Sequence, residues 1–367
     1  MQTRKHRKRH FIAVLALFCI SFSSQAQSFQ KVDDWLEENI QDLGGRAILM
    51  VYKDGKIVHT KAVNELRRKQ KAIGKFIARR QGKDANVEDY TMTTRQPVAS
   101  CSKWLSAALV MTFVDEGKLK LTDTVGKWLP ILSQHGKGAI TIDECLSHCT
   151  AIKAESLRES LQEMKNINSM DEAIEKIASL PMEGEPGKVF HYSNVGLQIA
   201  GALMEKISGK DFETLFTERI AKPLGMKNTD FGKGKVALPA GGAQSTPEDY
   251  LNFLTMILNK GSFNGKRILK ESSVTQMQVN RVDEDVRIAY SPAEAGNWGY
   301  GYGEWVMETT PENRPSKAVS SPGLFGSFPW VDNEKGYCAF LMTFNLKNSG
   351  REEKYKALKA LVDEAVK

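Results

Sequence analysis

Strand-like segments sit at both ends of this 367-residue chain, and helical patterns fill the middle. Ala47–Tyr52 and Lys56–Lys61 are apolar-rich runs joined by Lys53-Asp54-Gly55, and Asp-Gly between two such runs marks a hairpin. Tyr300–Met307, Gly326–Val331 and Tyr337–Phe344 read as further strands, with the turn Asp332–Gly336 between the last two. The economical architecture is α+β: one antiparallel sheet built from both chain ends, flanked by helices in a three-layer α/β/α sandwich, with a mostly helical insertion. The expected division is 27–110 and 236–367 for the sheet part and 111–235 for the helical part, with an active site between them.

Local signals place the helices. Val32–Ile40 has Trp35, Leu36 and Ile40 on one face, and Ser102–Glu116 has Trp104, Leu105, Ala108, Leu109, Thr112 and Phe113 on one face, closed by Gly117. Thr141-x-x-Glu144 and Ser169-x-x-Glu172 are capping-box sequences. Val195–Ile207 is apolar at helical spacing and stops at Gly209, Thr246-Pro247 opens another helix, and Arg351–Val366 closes the chain.

The formal net charge of +7 is concentrated at the start. Residues 1–26 hold Arg4, Lys5, Arg7, Lys8 and Arg9 and no acid, so the remainder carries only +2. A near-neutral body argues against a nucleic-acid partner. The basic start, the short apolar run Phe11–Phe22, and Ser24 and Ala26 before Gln27 form the three-part pattern of a secretory signal peptide over residues 1–26. That run is too short to span a bilayer, so the expectation is a protein exported across the inner membrane to the periplasm. Cys101, Cys145, Cys149 and Cys338 then remain, either as disulfides or as buried thiols. No Cys/His spacing reads as a metal site, and His148 reads as structural. Glu65–Lys83 interleaves many cations with Leu66, Ile73, Phe76 and Ile77. It is either a basic amphipathic helix touching an anionic surface or a solvated face.

The chemistry concentrates in three places. Ser100-Cys101-Ser102-Lys103 puts a hydroxyl and an amine one turn apart at a helix start, where the dipole favours a developing alkoxide and lowers an ammonium's pKa. A serine needs a base to become a nucleophile, and a desolvated lysine can serve. Tyr192-Ser193-Asn194 offers a phenol that exchanges protons and an amide that orients lysine and substrate. Ser321-Pro322-Gly323 enters a late strand, and its glycine lets a substrate approach the backbone.

Ser-x-x-Lys, then Tyr-x-Asn, then a Lys/His-x-Gly triplet resembles the motif set of the penicillin-recognising serine hydrolases: class C β-lactamases, D-alanyl-D-alanine carboxypeptidases, and related esterases and amidases. The stretches Leu146–Ala151, Pro186–Gly201, Ile220–Met226 and Gly241–Asp249 are similar to further segments of that family, so the resemblance covers nearly the whole chain after residue 26. It implies a β-lactamase/transpeptidase-like fold and no metal or organic cofactor. It implies Ser100 as the acylated nucleophile and Lys103 and Tyr192 as the proton-transfer pair, with the base left open between them. Asn194 would hold the substrate amide or Lys103, and the backbone N–H groups of Ser100 and Leu324 would form the oxyanion hole. Ser321 and Gly323 fall on the substrate-binding triplet.

One departure matters. Ser321 stands where the family has Lys or His, and a neutral hydroxyl binds a carboxylate more weakly than a cation does. Pro322 also lacks an N–H. The expected function is therefore an exported serine hydrolase acting through an acyl-enzyme on an ester or amide, such as a D-amino-acid or cell-wall peptide. The alternatives are a class C-like β-lactamase or penicillin-binding D-alanyl-D-alanine carboxypeptidase, and a non-catalytic binding protein on the same fold. The expected partner is a small-molecule or peptide substrate.

Overall fold

The computed structural model describes residues 29–367, apart from 81, 83–84, 165, 233, 309, 312–313 and 348–349. The export segment expected at 1–26 lies outside the described residues. Helix α1 (Gln30–Asn39) leads into the hairpin of β1 (Arg46–Lys53) and β2 (Lys56–Asn64). Helix α2 (Arg68–Arg80) follows. The middle of the chain holds α3 (Ser102–Asp115), α4 (Ile142–Leu146), α5 (Met170–Ser179), a short strand β3 (Val189–His191) and α6 (Val195–Ser208), with the further short helices Pro130–Gln134 and Leu157–Met164 between them. Then come α7 (Pro247–Leu258) and β4 (Arg287–Tyr290). Strands β5 (Gly299–Tyr300), β6 (Trp305–Val306), β7 (Ala318–Ser320), β8 (Phe328–Asp332) and β9 (Tyr337–Thr343) precede the closing helix α8 (Arg351–Ala365).

Seven strands form one antiparallel sheet in the order β2-β1-β9-β8-β7-β6-β5. The first strand therefore pairs with the last, with Met50 opposite Phe340 and Val51 opposite Ala339. Alternation sorts the side chains between two apolar layers. Leu49, Val51, Trp330, Ala339 and Leu341 face α1 and α8, where Phe328 stacks on Tyr355 at 4.1 Å. Ile48, Met50, Val331, Phe340 and Met342 face α3 and α7, where Tyr250 stacks on Phe340 at 4.7 Å. This is the three-layer arrangement expected from the sequence, and the sheet does come from both chain ends.

Local chemistry sets the element ends. Asp54 and Gly55 turn the first hairpin with φ of +50° and +81°. Thr141 and Glu144 make both bonds of a capping box at α4, while Glu172 reaches past Ser169 to the Asn168 amide, giving half a box at α5. Thr246 accepts from the Asp249 amide with Pro247 in the first turn of α7. Gly209 ends α6 in the left-handed region at φ +70°, which only glycine adopts without cost.

Three features depart from the sequence reading. Helix α3 is buried all round from Ser102 to Phe113 rather than along one face, because α6 and the short helices Phe212–Phe216, Thr217–Ala221 and Glu271–Met277 pack around it. The expected strand 300–307 is two short strands around a tight turn, because Gly303 lies so close to α3 that a Cβ would sit 2.5 Å from the Lys103 carbonyl oxygen. Finally, β7 was not read from the sequence, and Ser321-Pro322-Gly323 leaves that strand instead of leading directly into β8.

Among the described residues the four cysteines, Cys101, Cys145, Cys149 and Cys338, are buried free thiols. Helix α2 turns Gln70, Gly74 and Ala78 toward the body, while Ile73 and Phe76 are 48% and 61% exposed.

Close backbone approach fixes α6 against α4. A Cβ at Gly196 would overlap the Cys145 carbonyl group. Gly196→Ala should therefore push the two helices apart and cost about 1–3 kcal/mol, read as a lower urea midpoint at unchanged slope.

Candidate active site

Ser100 sits in a single tight turn, Ala99–Cys101, that runs into α3. Ala99 is held at φ +47°, a left-handed conformation that costs a non-glycine residue roughly 1–2 kcal/mol. The surroundings impose it. Ser102 donates from its hydroxyl to the Ala99 carbonyl at 2.5 Å and accepts from the Ala243 amide at 3.0 Å, and the Val98 amide donates to the Ala243 carbonyl at 3.0 Å. These three bonds tie both sides of the turn to one strand-like segment and present the Ser100 side chain to a cleft of about 690 Å³.

Lys103 lies one turn on and is 1% exposed. Its amine donates to the Ala240 carbonyl at 2.8 Å and lies 3.3 Å from Ser100 Oγ and 3.4 Å from Asn194 Oδ1. The Tyr192 ring is 4.7 Å from it. No carboxylate pairs with it among the described residues. Burial without an anion disfavours the ammonium, and the pKa is pushed down to about 7.

Tyr192 follows β3, whose parallel pairing with β4 continues as a bond from the Tyr192 amide to the Tyr290 carbonyl at 3.0 Å. Burial raises its phenol well above the usual tyrosine range, and a hydrogen bond with Ser100 only partly opposes this. Asn194 occupies the cap position of α6 but makes no side-chain cap bond. Its amide oxygen is turned toward Lys103 instead. The structure thus brings Ser100, Lys103, Tyr192 and Asn194 into one cluster.

The third motif behaves differently. The Ser321 hydroxyl is 1% exposed and lies 3.1 Å from the carbonyl oxygens of both Ser100 and Gly303, donating inward, away from the cleft. Pro322 and Leu324 line the cleft in its place, which corrects the expectation that Ser321 meets the substrate. Gly323 is a packing residue rather than a wall of the cleft. A Cβ there would overlap the Val98 carbonyl oxygen, and its amide donates to Ser327 at 2.8 Å. The Leu324 amide has no backbone acceptor among the described residues, and the Ser100 amide lies in the first turn of its helix, where none is available within the turn.

Several participants escaped the sequence reading. The Ala240 carbonyl carries no residue-type signal at all. His148, read as structural, packs behind Tyr192 with ring centroids 4.7 Å apart, and its Nε2 is 3.1 Å from the Tyr300 hydroxyl. Burial, with Lys103 nearby, holds its pKa well below the usual histidine range, so a neutral imidazole backs the phenol. Trp305 packs on the other side of Tyr192 at 5.1 Å and lines the cleft.

A model of the family described as Beta-lactamase matches residues 36–364. The fold is similar to that of a candidate β-lactamase from Bacteroides dorei DSM 17855, at 27% identity and a TM-score of 0.75, covering 92% of this chain and 98% of that one. It is also similar to EstCE1, a hydrolase with promiscuous acyltransferase activity, at 19% identity and a TM-score of 0.67 over 95% of this chain and 100% of that one. An uncharacterised protein of Mycobacterium tuberculosis (strain CDC 1551 / Oshkosh) is 26% identical over 288 residues, 64% of this chain and 71% of that protein. With a match across nearly every described residue and a fold shared along its length, the chain belongs to the beta-lactamase family.

Proposed function

We propose that this chain is an exported serine hydrolase that forms an acyl-enzyme with an ester or amide whose recognised group is not a carboxylate. One observation carries the reading: a buried amine with its pKa near 7 lies 3.3 Å from the hydroxyl of a serine presented to a cleft. At neutral pH a large fraction of Lys103 is neutral and can accept the Ser100 proton, whereas the Tyr192 phenol holds its own. Lys103 is therefore the base in this scheme and Tyr192 a donor.

Ser100 Oγ attacks the substrate carbonyl as its proton passes to Lys103, and the amides of Ser100 and Leu324 receive the oxyanion. The carbonyl reforms as the leaving group departs, taking a proton from the Lys103 ammonium directly or through the Tyr192 hydroxyl. Water then attacks the ester, losing its proton to Lys103, and Ser100 is released. Asn194 keeps the amine aimed at Ser100 throughout.

A β-lactam or D-alanyl terminus presents a carboxylate, and the position that would offer it a cation is the inward-turned Ser321. That disfavours the β-lactamase and carboxypeptidase readings. The intact cluster supports catalysis over a purely binding role. The export element of the proposal rests on the pattern of residues 1–26 alone.

With p-nitrophenyl butyrate, the protein should release p-nitrophenol and gain a transient acyl mass. Ser100→Ala should lose at least about 10³-fold in kcat/KM with an unchanged circular-dichroism spectrum; a variant that retains activity overturns the mechanism. Because the neutral amine is the active form, kcat/KM should rise through a limb near pH 7 and level off above it. A limb that stays below pH 5 would point away from Lys103.

A further inference from the structure

Glu294 lines the active-site cleft on the short turn Ala293–Ala295. Its side chain is 16% exposed, and its carboxylate accepts no hydrogen bond among the described residues. The nearest cation, Arg351, lies 3.9 Å away, beyond hydrogen-bond reach. Arg351 is already committed: its guanidinium donates to the carbonyls of Leu324, Asn345 and Lys347 at 2.9–3.0 Å, and it does not line the cleft. A carboxylate in a cleft with unsatisfied acceptor capacity calls for a donor from outside.

The position of this acid is informative. Arg351 links it to the Leu324 carbonyl, one residue beyond the third motif, and its field reaches the Tyr192 phenol. The same wall has no cation facing the cleft, because Ser321 is neutral and turned inward. The other ionisable side chains along the cleft have partners of their own: Lys176 lies 3.4 Å from Glu155, His191 is 2.6 Å from Glu183, and Lys103 donates to the Ala240 carbonyl at 2.8 Å. The wall beside Leu324 therefore repels an anion and attracts a cation.

We infer that Glu294 forms a subsite for an ammonium group, so that the preferred ester or amide carries a free amine beside its scissile carbonyl. This rests on the serine-hydrolase reading above. It is tested with D- and L-alanine thiobenzyl esters in three forms: free amine, N-acetyl and N-succinyl, of positive, zero and negative charge. The expected order of kcat/KM follows that charge. Glu294→Gln should lower the ratio of kcat/KM for the free amine to that for the N-acetyl ester roughly tenfold or more. A flat series, a best rate with N-succinyl, or an indifferent Glu294→Gln overturns the subsite alone. No turnover of any thioester or of p-nitrophenyl butyrate overturns the hydrolase reading with it.

Helix α2 carries a second inference on separate grounds. Arg68, Lys69, Lys71, Lys75, Arg79 and Arg80 are all exposed, and none pairs with a carboxylate among the described residues. No acid interrupts the thirteen residues. The large apolar side chains Ile73 and Phe76 point outward with the cations, while Gly74 and Ala78 face the body. An amphipathic helix seated on its own protein would do the reverse. We propose that α2 docks on an anionic lipid surface, with Phe76 and Ile73 entering the headgroup boundary. Hydrogen–deuterium exchange of the full chain reads this locally. Amides of 68–80 should be protected by phosphatidylcholine–phosphatidylglycerol vesicles and not by phosphatidylcholine alone, and high salt or an Ile73→Ser, Phe76→Ser double variant should remove the protection. Unchanged exchange with anionic vesicles, or equal protection by duplex DNA, overturns it.

Discussion

The site depends on taking one amine out of water. Lys103 is a poor base in solution, where it is almost wholly protonated at neutral pH. Surrounding it with protein and giving it no anion removes that preference, leaving comparable shares of amine and ammonium. The cost falls on the whole fold, because α3 must be covered on every side for the amine at its start to be dry. Helix α6 supplies one cover and the segment around Ala240 another, and the Ala240 carbonyl satisfies the amine without charging it. An aspartate in place of that carbonyl would keep the lysine protonated and silence it as a base.

The aromatic group behind Tyr192 extends the same logic. His148, Phe190, Tyr300 and Trp305 pack around the phenol, and none carries a charge of its own at neutral pH. Such surroundings keep the tyrosine protonated. In the proposed reaction, two groups whose environments push them to complementary states would divide the work of acid and base.

What could be read from the sequence was whatever rests on near neighbours. The Asp54-Gly55 hairpin, the Thr141 capping box, the Gly209 stop and the one-turn spacing of Ser100 and Lys103 are each decided within a few residues. Contacts made by backbone atoms across long separations left no trace: nothing about Ala240 announces that its carbonyl anchors Lys103, 137 residues away. The alternation across 300–307 concealed two strands, because the turn between them is set by the approach of Gly303 to α3 rather than by its own composition. Ser321 was assigned to the right motif and given the wrong direction. Which way it points depends on the parity of β7, a three-residue strand too short to advertise itself. Glu294 sits in an irregular turn at no diagnostic spacing, and only the folded wall makes it part of the cleft.

The pairing of β1 with β9 has a consequence for how the protein comes into being. Residue 51 finds its partner only at residue 339, so a chain emerging in order from a ribosome must wait almost to its end before the central pair can close. Ser100 and Lys103 are made early, yet the cover that dries the amine arrives late. During synthesis Ser100 therefore stands beside an ordinary, hydrated ammonium ion until Tyr192, Asn194 and the Ala240 carbonyl have closed around Lys103.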